Sequence, residues 1–308
     1  MLNAVWSEEL SGSEAAEVLE LLTAANEVDG RPELPSNGAL PGEFTGGAHL
    51  LARVDGEPDL VGYAHLDLGG DSFGRTVAEL IVRPDHRRRG LGAELTEAVV
   101  ARAGVRENPD TLRVWSHGDH PGAAKLAERT GFARARELLV MHVDVPSAGW
   151  PEPVLPDGVR LRAFVPGQDE EAMVAVNARA FDWHPEQGAL TVAEVRETEG
   201  EDWFDPAGFF LAEDVEGTVL GFHWTKVHPP NPRRFGGEPV GEVYVVGVAP
   251  GAQGGGLGKA LTTAGLRHLA ARGLGQVILY VEGDNAAAVA VYERLGFSRS
   301  EVDVQYGR

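Results

Sequence analysis

The residues best suited to chemistry sit in two glycine loops. One is Arg87-Arg88-Arg89-Gly90-Leu91-Gly92-Ala93, the other Gln253-Gly254-Gly255-Gly256-Leu257-Gly258-Lys259. Each follows an apolar run and opens a helical pattern. The first amide N–H groups of a helix have no partner in the helix, and the helix dipole adds partial positive charge there. Glycines let such a backbone approach a phosphate closely. The pattern predicts pyrophosphate binding at 87–93 and 253–259. It lacks the Gly-x-Gly-x-x-Gly of a dinucleotide fold and the Gly-Lys-Ser/Thr ending of a P-loop. Three arginines add cationic side chains to the first loop. Bare glycines at 254 and 255 leave more to the backbone in the second.

The elements that must hold these loops occur twice. At a fixed offset Pro84 meets Pro250, Arg87 meets Gln253, and the glycine pairs coincide. With one residue less, Leu126–Phe132 meets Val291–Phe297. This reads as a tandem duplication. In the first half, periodicity predicts a helix over 13–26 with Ser13 as cap. Strands follow at 49–54, 60–66 and 78–82, then a helix at 91–103, a strand at 111–115 and a helix at 123–129. The second half gives strands at 208–213, 218–227, 241–248 and 276–281, with helices at 257–271 and 286–295. Each half is a mixed α/β (α+β) layer with antiparallel strands before the glycine loop. Residues 146–156 carry four prolines. They read as a semi-extended linker between domains at 1–145 and 157–308.

Composition narrows the function classes. The 308 residues include no cysteine and carry a formal charge of −20. Disulfides, thiolate metal sites and a cysteine nucleophile are excluded. The acidic balance argues against a nucleic-acid partner. No run reaches the ~18 apolar residues of a membrane span, and the start lacks a signal-peptide pattern, so a cytoplasmic monomer without a membrane partner is expected. No His, Asp and Glu set has metal-ligand spacing, so no metal is expected.

The loop after a Val-rich strand, with the later helix end Tyr292-Glu293-Arg294-Leu295-Gly296-Phe297, resembles the GNAT acyltransferases. Both halves share most of the pattern. The resemblance implies two tandem GNAT-like domains and acetyl-CoA as co-substrate. It also implies that a bulge splays the strand before each loop, freeing backbone groups for the pantetheine arm. Those groups belong to Leu80, Ile81 and Val82 in the first half, and to Val246, Gly247 and Val248 in the second. Gly247 inside a β-branched run independently suggests a bulge. The turn from Asn285 through Ala286, Ala287, Ala288, Val289 and Ala290 is implied to run along the cofactor. Capping alone also explains Asn285.

Acetyl transfer to an amine needs a base for the ammonium and an acid for the leaving thiolate. Glu242, on the strand entering the second cofactor stretch, is the candidate base. Tyr292 stands where family members carry the acid, and the first half has Ala127 there. The first half is therefore expected not to catalyse.

Segments 181–188, 203–206, 221–229 and 241–248 are similar to tandem members of the family that acetylate the cysteinyl amine of a cysteine–glucosamine–inositol conjugate. This implies substrate contacts from Glu186, Lys226, Glu242 and Tyr280, with Asn37 nearest to a further, acidic contact of the family. Structural roles compete for His184, His223 and His228. Two other readings stay open: acetylation of another small amine or a peptide N-terminus, and an acyl-CoA-binding sensor without turnover.

Overall fold

A computed structural model describes residues 2–35, 37–71, 73–104, 111–184, 187–231 and 234–308. The elements run in the order β1 (Leu2–Ser7), α1 (Gly12–Asp29), β2 (Ala48–Val54), β3 (Gly62–Asp67), β4 (Thr76–Val82), α2 (Leu91–Arg102), β5 (Leu112–Ser116), α3 (Pro121–Thr130) and β6 (Ala133–Asp144). They continue with β7 (Arg160–Ala163), α4 (Glu170–Ala180), α5 (Val192–Thr198), β8 (Phe209–Glu213), β9 (Val219–His228), β10 (Val240–Val248), α6 (Leu257–Ala271), β11 (Gln276–Glu282), α7 (Ala286–Arg294) and β12 (Ser298–Gly307).

The chain divides into two compact units, but not at the proline segment. Unit 1 is Met1–Leu138 with Glu301–Arg308, and unit 2 is Leu139–Ser300. The strand order in unit 1 is β1-β2-β3-β4-β5-β12. In unit 2 it is β6-β11-β10-β9-β8-β7. The last strand of the chain thus completes the first unit, where Val304 pairs with Ser116 and Gly307 with Arg113. The end of β6 lies beside β11 in the second. The proline segment has no regular structure, yet it is anchored on unit 2. Trp150 is buried and donates its indole N–H to the Leu295 carbonyl at 3.3 Å. Arg267 donates to the Trp150 carbonyl at 2.6 Å.

Helix α1 starts earlier than expected. Ser11, not Ser13, is its cap: the Ser11 hydroxyl accepts from the Glu14 amide while the Glu14 carboxylate accepts from the Ser11 amide. That reciprocal pair satisfies two orphan donors, which Ser13 has no glutamate three residues on to match. Its buried face, Val18, Leu21 and Leu22, packs on Leu51 and Tyr63 of the sheet. In unit 2, Leu257 and Leu261 of α6 pack with Ala212 on one face of the sheet. The other face carries Phe209, Trp224 and Met173 of α4.

Candidate active site

Two parallel strand pairs open like a fork, one in each unit. In unit 2, β10 pairs with β11 only at Gly241–Val277, Glu242–Ile278 and Val243–Leu279. Both strands continue, to Val248 and Glu282, with no further register pair among the described residues. The β11-facing backbone groups of Val246, Gly247 and Val248 therefore have no ladder partner. On its other side β10 stays paired with β9, through a register shift between Val243 and Val245. The extra residue is Tyr244. This corrects the expectation of a bulge at Gly247. That glycine is required by packing instead: a Cβ there would lie 2.7 Å from the Phe222 ring and 3.0 Å from Phe181.

In unit 1, β4 pairs with β5 at Thr76–Leu112, Val77–Arg113 and Ala78–Val114 and then separates from it. No bulge accompanies the separation, because β3 and β4 pair without a shift from Asp67–Val77 to Gly62–Val82. A cavity of about 590 Å³ fills the fork. Leu80, Ile81, Val82, Arg87, Arg88, Gly90, Leu91, Gly92 and Ala93 line it, together with Ser116 and His117 of the opposite prong. The buried Ser116 hydroxyl has no hydrogen-bond partner there.

The glycine loops have the geometry their sequence predicts. Gly90 and Gly256 cap α2 and α6 at φ +95° and +86°, with no side-chain acceptor on the first-turn amides. Space beside Gly254 and Gly256 is open to 4 Å. Open amides, a left-handed turn and unpaired strand edges fit a long ligand bearing a phosphate at one end. The side chains at 87 and 253 do another job. Arg87 donates Nε–H to the Val82 carbonyl at 3.0 Å, and Gln253 donates to the Val248 carbonyl at 3.0 Å. Asp29 also holds the Arg87 guanidinium, at 2.9 and 2.6 Å. Arg89 donates to the Asp85 carbonyl. The first and last of the three arginines thus brace the loop. Lys259 is exposed on the first turn of α6. Asn285 caps α7 by accepting from the Ala288 amide at 3.1 Å, which fixes the turn of Ala286, Ala287, Val289 and Ala290.

Residues paired across a sheet share a face. Glu242 is opposite Lys226 on one side and Ile278 on the other. Tyr280 is two residues beyond Ile278, and His228 two beyond Lys226. Glu242, Lys226, His228 and Tyr280 therefore share the face away from α6. Helix α6 lies on the reverse, where His223 Nδ1 donates to the Leu261 carbonyl at 2.7 Å. His223 is thus a core residue.

Glu242 is 5 % exposed, and its Oε2 is 2.5 Å from His228 Nε2. The imidazole orients the carboxylate. Lys226 places its ammonium 4.5 Å from the Trp203 ring centroid and 5.2 Å from that of Tyr244. His184 caps a turn by accepting from the Gln187 amide at 3.1 Å, and its Nε2 stands 3.7 Å from Glu282. Tyr292 is 7 % exposed and packs edge-on against Phe297. Burial raises its hydroxyl pKa, so the proton is retained across the working range. Glu186 lies outside the described residues. Asn37 is in unit 1, where its Oδ1 accepts from the Ala39 amide. Among the described residues no group of three or more His, Asp or Glu is placed to hold a metal, and no helix is long and apolar enough to cross a membrane.

His228, Trp203 and Tyr244 were not singled out as site residues by sequence. For His228 the signal was available: it follows Lys226 by two on a strand, the spacing of one face.

Comparison with known proteins agrees with this geometry. The pattern of the Acetyltransferase (GNAT) family matches residues 16–132 and again 176–297. A mycothiol acetyltransferase of Saccharomonospora viridis is 65 % identical over 100 % of this chain and 99 % of its own length. One of Amycolatopsis mediterranei is 66 % identical over 98 % of each. Among solved structures, a tandem GNAT protein from the clavulanic acid biosynthesis pathway superposes with a TM-score of 0.70 at 20 % identity, covering 100 % of this chain and 98 % of that one. Duplicated loop, forked strands and family match coincide, and the chain belongs to the GNAT acetyltransferase family.

Proposed function

We propose that this acetyl-CoA-dependent N-acetyltransferase acetylates the cysteinyl amine of a cysteine–glucosamine–inositol conjugate, the last step in making mycothiol. The observation that carries the reading is full-length identity of 65 % and 66 % to two mycothiol acetyltransferases. Unit 2 is the catalytic unit. Acetyl-CoA supplies the activated acyl carbon when bound. The β10 edge at Val246–Val248 and the amides after Gly256 hold and orient it. Glu242, oriented by His228, accepts a proton from the substrate ammonium, directly or through water, and the amine attacks the thioester carbon. As the carbon–sulfur bond breaks, Tyr292 donates its proton to the departing thiolate, and the second proton lost by the acylated nitrogen restores the Tyr292 hydroxyl. Lys226 and Tyr280 bind the polyol part on the face they share with Glu242.

Unit 1 binds an acyl-CoA-like ligand without turnover. Its first parallel strand pair aligns Thr76 with Gly241, so Val77 stands where unit 2 has Glu242. Ala127 stands where unit 2 has Tyr292. We place the protein in the cytoplasm as a monomer with no nucleic-acid partner, in keeping with its charge of −20.

The test is acetylation of the conjugate with labelled acetyl-CoA, followed by mass spectrometry. A product heavier by one acetyl group on the amine is expected. Product from other amines but none from the conjugate overturns the proposal.

A further inference from the structure

The β10 bulge does more than widen the fork. Tyr244 is an insertion relative to unit 1. Strand register aligns Ala78 with Val243, and the matched loops align Glu79 with Val245, leaving Tyr244 without a counterpart. A bulge turns two consecutive side chains to one face. Here Val245 pairs with Trp224 on the site face, and the Tyr244 ring meets Trp224 edge-on on that same face, centroids 5.4 Å apart. Tyr244 is 38 % exposed, whereas Glu242 two residues before it is buried. The Trp203 ring meets it at 5.1 Å, tilted by 67°. The ammonium of Lys226 lies against both rings. Among the described residues that ammonium has no ion-pair or hydrogen-bond partner.

These observations define an aromatic cage around a cation. A carboxylate partner would use up N–H donors and neutralise the charge. Ring faces attract the cation through their quadrupoles and leave its N–H donors available. The flexible four-carbon side chain is half-buried against these rings. Opposite Lys226 on the same face is Glu242.

We infer that Trp203 and Tyr244 are positioning residues that set the selectivity of the enzyme for a polyhydroxylated amine. They hold Lys226 so that its N–H groups meet the hydroxyls of the sugar–cyclitol portion while the amine reaches Glu242. This rests on the substrate reading above. It adds the claim that recognition of the polyol depends on the one residue inserted into β10 relative to its counterpart in unit 1.

The experiment compares two amines, the full conjugate and cysteine amide lacking the sugar, in the intact protein. The quantity read is the ratio of their kcat/KM values. Trp203→Leu and Tyr244→Leu should each lower that ratio by about tenfold, the scale of a partly desolvated cation–π contact. Lys226→Met should lower it at least as far. In the Lys226→Met background, adding either aromatic substitution should lower it no further. A merely structural role would give penalties that persist in that background. Such additivity, or an unchanged ratio in both aromatic variants, overturns the cage. The half-exposed Tyr244 site keeps the test available if Trp203→Leu does not fold. Failure of the substrate reading shows separately, as a wild-type ratio near one; that result overturns both.

Discussion

Unit 1 and unit 2 share a backbone scaffold and differ in the side chains placed on it. Both fork a parallel strand pair after three register pairs, and both cap the following helix with a left-handed glycine. Both even tie residue 87 or 253 to the last carbonyl of the preceding strand. Yet Glu242 faces a counterpart Val77, Tyr292 a counterpart Ala127, and Tyr244 no counterpart. The lesson is that the backbone geometry is common to both units, while the side chains proposed to handle protons stand in one. On the proposed roles, ligand affinity and turnover are separable by mutation.

The largest effect expected from breaking that asymmetry is on turnover. Glu242→Gln keeps the shape and a hydrogen bond to His228 but loses the proposed base. It should lower kcat by about 10²–10³-fold, within the usual range for a general base. Tyr292→Phe should lower kcat by about 10²-fold. Acetyl-CoA binding, measured by calorimetry, should stay within about threefold in both, since neither side chain builds the loop or the strand edge. Loss of acetyl-CoA binding in step with kcat would show that these residues shape the cofactor site instead.

The next effect is on stability, and its sign differs between the units. His223 of unit 2 is fully buried, and burial pushes its imidazole down to about 4, against the hydrogen bond to the Leu261 carbonyl. The unfolded chain takes up a proton near the ordinary value of about 6.5, the folded chain only near 4. Stability is therefore lost as pH falls from about 6.5 to about 4, by about 3 kcal/mol in all. His223→Asn keeps a donor toward Leu261 and cannot take the proton, so urea denaturation should show a shallower acid limb.

His117 of unit 1 is the reverse case. Burial opposes its charge, but Glu79 and Asp303 outweigh burial and push it up to about 10. Its contribution is complete below about pH 6.5 and disappears as pH rises toward 10. His117→Gln should flatten the alkaline limb alone. Equal slopes for wild type and variant on the respective limb would sink either assignment.

How much of this was legible in the sequence follows from how far apart the interacting residues lie. The glycine loops, α6 and α7 are local: helical periodicity and left-handed glycines act over a few residues, and α6 runs over 257–271 as its pattern predicts. Strand β12 was missed because its polar residues are buried by distant partners. Asp303 accepts from the Gly118 amide at 2.7 Å and faces His117 and Arg31, all remote in sequence. A charged residue in a strand reads as a solvated face unless those partners are known. Strand β6, with Arg134, Arg136 and Glu137 near its start, misleads in the same way. The division into compact units after Leu138 and before Glu301 is hidden for the same reason, since strand partnership and not proline content sets it. Glu242 and Lys226 were readable separately. Their opposition across β9 and β10 depends on a register that the Tyr244 bulge shifts only beyond Val243.

The smallest effect concerns the loops themselves. Arg88 in unit 1 adopts φ +66°, where unit 2 has Gly254 at φ +85°. A side chain in that region crowds its own backbone, costing about 1 kcal/mol relative to glycine. Because space beside Gly254 is open, Gly254→Arg tests that strain without a clash. It should destabilise the protein by about 1 kcal/mol and lower Tm by about 2–4 °C. The reverse change, Arg88→Gly, relieves the same strain but enlarges the conformational freedom of the unfolded chain by a similar amount. Its net effect should stay within about 0.5 kcal/mol. Measured by urea denaturation, the pair should therefore be asymmetric. If Gly254→Arg is neutral, backbone strain does not distinguish the loops. The guanidinium of Arg88, which has open solvent to turn into, would then be the feature that sets the first loop apart.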